Sequence, residues 1–134
     1  MVWAGLAKRL DSEDKKGLKV LKIKRVYDKP EKSDGFRILV DRLWPRGLSK
    51  EKARIDDWLK DIAPSDKLRK WFHKEKNWNE FKRCYFAELK DKKDLLKKIK
   101  DSMKSNNVTL VYAAKDEERN NAKALLEFIN SGKI

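Results

Sequence analysis

The run Phe36-Arg37-Ile38-Leu39-Val40-Asp41-Arg42-Leu43 limits the fold more than any other stretch of the chain. Its centre, Ile38-Leu39-Val40, is continuously apolar, so a strand here must hide both of its faces. That is the pattern of a strand inside an α/β sheet rather than of a hairpin with one wet face. Val108-Thr109-Leu110-Val111-Tyr112-Ala113-Ala114 repeats it after an Asn106-Asn107 turn. Between Leu18 and Tyr27, the residues Val20, Ile23, Val26 and Tyr27 interleave with Lys19, Lys22, Lys24 and Arg25, which predicts a further strand. Asp28, Lys29, Pro30 and Ser33-Asp34-Gly35 supply the turn that separates this strand from the Phe36 run.

Roughly 55 residues of helical periodicity precede the last strand. Ser49 is placed to cap a first helix, with Ile55, Trp58, Leu59 and Ile62 as its apolar stripe and Ala63-Pro64 as its stop. Ser65 caps the next, which carries Leu68, Trp71 and Phe72 on one side. Trp78, Phe81, Tyr85 and Leu89 recur at offsets of three and four, and Leu95, Leu96, Ile99 and Met103 form another such stripe. That spacing assigns the aromatic residues to a core rather than to a base-stacking surface. Asp116 is placed to cap a final helix whose inner face is Ala122, Leu125, Leu126 and Ile129. The expected architecture is a single small α/β domain over residues 19–134: a mainly parallel sheet flanked by helices, with a helical insertion between the second and last strands. Residues 1–18 read as a helical or poorly ordered extension.

Composition narrows the chemistry. At 134 residues the chain suits one domain that buries about two-thirds of its unfolded surface. Thirty-five Lys and Arg against 22 Asp and Glu give a net charge of +13. Such a balance suits an anionic partner: nucleic acid, an acidic protein or a phosphorylated small molecule. With 43% charged residues of both signs, it equally suits a solvated surface rich in ion pairs. One cysteine, Cys84, and one histidine, His73, leave neither an internal disulfide nor a Cys/His zinc pattern, so no metal is expected. Gly35 and Gly47 lack the partners of a glycine-rich phosphate loop, and no cofactor is expected either. No apolar run approaches membrane-spanning length and Met1 to Gly17 lacks the apolar core of a signal peptide, which makes the cytoplasm the expected compartment.

In open α/β sheets, ligands gather beyond the carboxyl ends of the strands. Asp41, Arg42, Trp44, Pro45, Arg46 and Gly47 follow one strand here; Tyr112, Lys115, Asp116, Asn120 and Asn121 lie at the end of another or beyond it. If those strands are neighbours, the two sets converge. Strand alternation puts Arg37 and Asp41 on one face and Arg42 with Phe36, Ile38 and Val40 on the other. A buried Arg42 demands an anion, supplied either by a ligand or by a structural clamp in which Arg42 and Arg46 pair with Asp116, Glu117 or Glu118. Arginine forks bind phosphate or carboxylate, and Trp44 offers a wall for a planar ligand. The expected ligand-binding set is Arg42, Trp44, Arg46, Tyr112 and Asn120, with Asp41, Lys115 and Asp116 as candidates for acid–base work. Cys84 and His73 fall on different predicted helices, and Cys84 reads as an inert buried thiol.

The strings VDRLWPRGLSKEKARIDDWLKDIAPSDKLRKWF, NWNEFKRCYFAEL and TLVYAAKDEERNNAKAL, taken in that order, resemble the YeaO-like family. The likeness covers roughly residues 23 to 129. This family is classed as a domain of unknown function, so the resemblance implies positions rather than a reaction. Those positions are Asp41, Arg42, Trp44 to Gly47, Trp58, Pro64, Ser65, Leu68, Arg69, Trp71, Phe72, Tyr85, Glu88, Leu89, Tyr112, Ala113, Lys115, Asp116 and Asn120. Family members often carry His where this chain has Arg119 or Asn121, which argues against a histidine-based mechanism here.

Three functional expectations follow. The first is a pocket that holds an anionic, phosphorylated or nucleotide-like ligand through Arg42 and Arg46, with or without catalysis. The second is a nucleic-acid-binding module that uses the dispersed lysines. The third is a structural or partner-binding protein that docks through Trp3, Leu6 and Leu10.

Overall fold

In the computed structural model, residues 19–132 are described, and the expected Trp3, Leu6 and Leu10 patch lies outside them. Four strands form one sheet: β1 (Leu21–Arg25), β2 (Phe36–Leu39), β3 (Asp57–Trp58) and β4 (Val108–Tyr112). Their spatial order is β1-β4-β2-β3 and every pairing is parallel. The two strong apolar runs are therefore the two central strands. Phe36 lies opposite Val108 and Leu39 opposite Val111, so the carboxyl ends of β2 and β4 are level.

Both faces of the central strands are covered, as Ile38-Leu39-Val40 requires. On one face Ile38, Val40, Leu110 and Tyr112 join the main core with Phe81, Tyr85, Leu96, Leu125 and Phe128. The helical side chains come from α3 (Trp78–Leu89), α4 (Lys93–Ser102) and α5 (Asn121–Asn130), and α2 (Asp66–Glu75) adds Leu68. On the other face Leu39 and Val111 pack with Val26 and Ala53 under Trp44, Ile55 and Trp58.

A continuous helix from Ser49 to Ile62 does not form. Ser49 does cap a helix, accepting from the Lys52 N–H at 3.2 Å, but α1 runs only Lys50–Ala53. Arg54 then turns left-handed (φ 52°), and β3 pairs with β2. The cause lies on β2. Arg37 is 3% exposed and donates Nη2 to the Ala53 carbonyl at 2.8 Å and Nε to that of Arg54 at 3.0 Å, which caps the short helix. Nη1 meets the fully buried carboxylate of Asp34 at 2.6 Å. Burial alone would raise the pKa of Asp34, but hydrogen bonds from Glu31 N–H, Lys24 and Arg37 outweigh it and hold the group at about 2.

Two further details differ from the sequence reading. Asp116 does not cap the last helix; it closes its own turn by accepting from the N–H groups of Glu118 and Arg119, and Asn120 caps α5 through Lys123 N–H at 2.8 Å. Asn is at least as good a cap as Asp, so the later residue wins without loss. Glu88, with no role apparent in the sequence, accepts from Ser65 N–H at 2.8 Å and Ser65 Oγ at 2.6 Å, which ties α3 to the start of α2.

Candidate functional site

Where β2 and β4 end, the chain leaves the sheet because its next residues cannot extend a ladder. Pro45 has no N–H, and Gly47 adopts φ 76°, a conformation cheap only for glycine. The two departing loops enclose a cavity of about 590 Å³, within the usual range for small-molecule sites. Asp41, Arg42, Trp44, Arg46, Asp116 and Asn120 all line it, so the two segments converge. Tyr112 does not line it: the ring is 2% exposed in the core, where burial raises the pKa of its hydroxyl. Lys115 is exposed and likewise stands outside the lining.

Both loops are pinned before any ligand arrives. Tyr27 Oη donates to the Arg46 carbonyl at 2.8 Å, and Trp58 Nε1 to that of Asp41 at 2.7 Å. Arg25 reaches the carbonyls of Ala114 (2.9 Å) and Ala113 (3.2 Å) on the opposite loop. Trp44 donates Nε1 to Leu48 at 2.6 Å and packs edge-on against Trp58, with ring centres 5.5 Å apart. Asp41 joins the loops directly: Oδ2 accepts from Ala113 N–H at 2.8 Å and Oδ1 from Asn121 Nδ2 at 3.1 Å. Burial pushes the Asp41 carboxyl up, and those two bonds pull it part of the way back.

Beyond the strand end at Leu39, Arg42 stays on the Val40 side of the sheet, which the helices cover: Nη2 donates to the Ala63 carbonyl at 3.3 Å and Nη1 lies 3.6 Å from Asp61. Both contacts are long, and the Asp61 side chain is 80% exposed. Nε is shielded from solvent and has no hydrogen-bond partner. The Ala63 carbonyl also accepts from Lys92 at 2.9 Å. Lys92 is shifted down, first by burial and then by the nearby Arg42 charge, with Glu88 and Asp61 opposing. The expected clamp to Asp116, Glu117 or Glu118 is therefore absent: Arg42 faces Asp61 instead, and Arg46 makes no ion pair among the described residues.

Several lining residues escaped the sequence reading. Arg69, Phe72 and His73 face the cavity from α2, and Lys76 does so from its C-cap. Their offsets of three, four and seven are one face of a helix, so the signal was present but was taken up by the apolar stripe beside it. Tyr27 and Arg119 join them; neither carries a local pattern that separates it from an ordinary surface residue. Five Arg or Lys thus stand around the cavity against two Asp. Cys84 is half-buried on α3, is not part of this lining, and its Sγ lies 3.6 Å from Glu80. Among the described residues no cluster of His, Cys, Asp and Glu could hold a metal ion, and no helix is long and apolar enough to cross a membrane.

A parallel four-stranded α/β fold with a cationic cleft over its central strands is the structural class. By sequence, the chain belongs to the DUF488 proteins, matching over residues 20–132 the family described as the inactive DUF488-N3 subclade. It is 45% identical over 112 residues to the uncharacterized protein YeaO of Escherichia coli (strain K12), covering 83% of this chain and 97% of that one. The uncharacterized protein Rv3073c of Mycobacterium tuberculosis (strain ATCC 25618 / H37Rv) is 38% identical over 111 residues, 82% of this chain and 93% of that one. No solved structure gives a significant match.

Proposed function

We propose that the cleft binds a small organic anion and does so without chemistry of its own. The observation that carries this reading is the state of Arg42, a partly buried guanidinium with two long contacts and an unpartnered Nε at the cavity wall. A shielded donor left unpaired costs about 1–3 kcal/mol, and more when charged, so an incoming acceptor relieves a standing penalty. If an anion draws Arg42 away, the Ala63 carbonyl keeps its bond from Lys92, and nothing new is orphaned. Arg46 and Arg119 add unpaired positive charge at the same cavity.

Binding is favoured over catalysis because the best-placed base is already occupied. Both carboxylate oxygens of Asp41 hold the loops together, and the matching family is described as inactive. Phosphate or sulfate, tested by thermal unfolding, should raise the Tm. At a hundred times the dissociation constant, the stabilisation is about 2.7 kcal/mol. Arg46→Ala should remove that shift while leaving the unliganded Tm unchanged, since only the Arg46 backbone is used in the fold. An unchanged Tm across a panel of anions overturns the reading.

A further inference from the structure

The polar atoms around the cleft sort into two groups, and the division limits what the ligand can be. Most acceptors already hold a bond within the fold. Both Asp41 oxygens accept, from Ala113 and Asn121, and Asn120 Oδ1 accepts from Lys123. Asp116 Oδ1 holds Glu118 and Arg119. The loop carbonyls of Arg46, Ala113, Ala114 and Ala63 are taken by Tyr27, Arg25, Arg42 and Lys92. The amide and indole donors are committed too: Asn121 Nδ2 to Val40 and Asp41, Asn120 Nδ2 to Asp116, Trp44 Nε1 to Leu48. The free capacity is mainly cationic, on Arg46 and Arg119, whose guanidinium groups make no hydrogen bond or ion pair among the described residues, with the His73 ring and Asp116 Oδ2 beside them.

Between these charges the wall is mostly apolar. Phe72, Phe81, Pro45 and Pro64 form it, and Leu43, 70% exposed, stands at the opening. An exposed leucine beside a cleft gains by covering the apolar part of a ligand. From this we infer that the ligand is an acid carried on an apolar, aromatic body, and not a sugar phosphate or a nucleotide. This inference rests on the anion-binding reading above. Sugar hydroxyls need acceptors, most of which the cleft commits to its own loops, and each one desolvated without a partner loses about tenfold in affinity. An aromatic ring asks for none, and it finds Trp44 and Phe72 as walls.

Calorimetric titration of the full chain at constant ionic strength, with phenyl phosphate, inorganic phosphate, ribose 5-phosphate and phenol, tests this. Phenyl phosphate should bind at least tenfold more tightly than the other three. Leu43→Ser, which removes an exposed side chain and leaves the core intact, should erode the advantage over inorganic phosphate severalfold and leave inorganic phosphate itself unchanged. If ribose 5-phosphate or inorganic phosphate equals phenyl phosphate, the apolar-body inference fails while the anion site stands. If phenol equals phenyl phosphate, the acid requirement fails. Absence of binding by all four overturns the anion reading together with this inference.

Discussion

Asp34 shows how one residue couples three strands of the sheet. Its carboxylate joins Lys24 of β1 to Arg37 of β2, and its backbone carbonyl accepts from Thr109 of β4 at 2.7 Å. Because its pKa in the fold, about 2, lies below the ordinary value of 3.8, the ionised form is favoured by folding. The stabilisation is therefore complete above about pH 4 and is lost as the pH falls through 2, amounting to about 2 kcal/mol. Asp34→Asn should flatten the acid limb of the stability curve between pH 4 and 2; equal slopes for variant and parent would contradict this assignment. Gly35, next to it, has φ 65°, and a Cβ there would lie 2.2 Å from the Asn107 carbonyl oxygen. Gly35→Ala should lower stability by about 2 kcal/mol or more, read from urea unfolding, since both the backbone angle and the β2–β4 approach forbid a side chain.

At the scale of elements, legibility followed the range of the forces involved. Local signals located β2, β4 and the caps at Ser49, Ser65 and the apolar faces of α3 to α5, because alternation, capping and helical spacing are written in neighbouring residues. Missing from view was the break after Ala53. Ile55 and Trp58 fit a helical stripe well, and only Arg37, sixteen and seventeen positions earlier, supplies the donors that stop the helix and let Asp57–Trp58 join the sheet. The Arg42 contact to Asp61 was hidden for the same reason, since Asp61 reaches it only once β3 has formed. Another such contact invites a test: Glu88 ties α3 to the Ser65 turn, which presents Ala63 and Pro64 to the cleft. Glu88→Ala should cost about 1–3 kcal/mol by stranding the Ser65 donors, with Glu88→Gln recovering part of it through its remaining acceptor oxygen. No change in the Glu88→Ala melting curve would deny Glu88 this role.

For the molecule as a whole, the excess of positive charge divides into two populations. Many helical lysines sit beside acids, as in Lys97 and Lys104 with Asp101, Lys70 with Asp66, and Lys82 with Glu127. Paired, exposed charges of this kind add little to stability and present no continuous basic face. Two cations of the cleft differ, for Arg46 and Arg119 make no ion pair among the described residues. A nucleic-acid module would draw on the first population and lose affinity steeply with salt, whereas a pocket that neutralises one or two charges gives a shallow slope. Backbone amide NMR during a titration with inorganic phosphate separates the two most directly. The anion pocket predicts saturable shifts confined to the cavity lining, residues 41–47 and 113–121 together with Tyr27, Ala63 and the Arg69-to-Lys76 face. Shifts spread over the lysines of α4, or none at all, would contradict it.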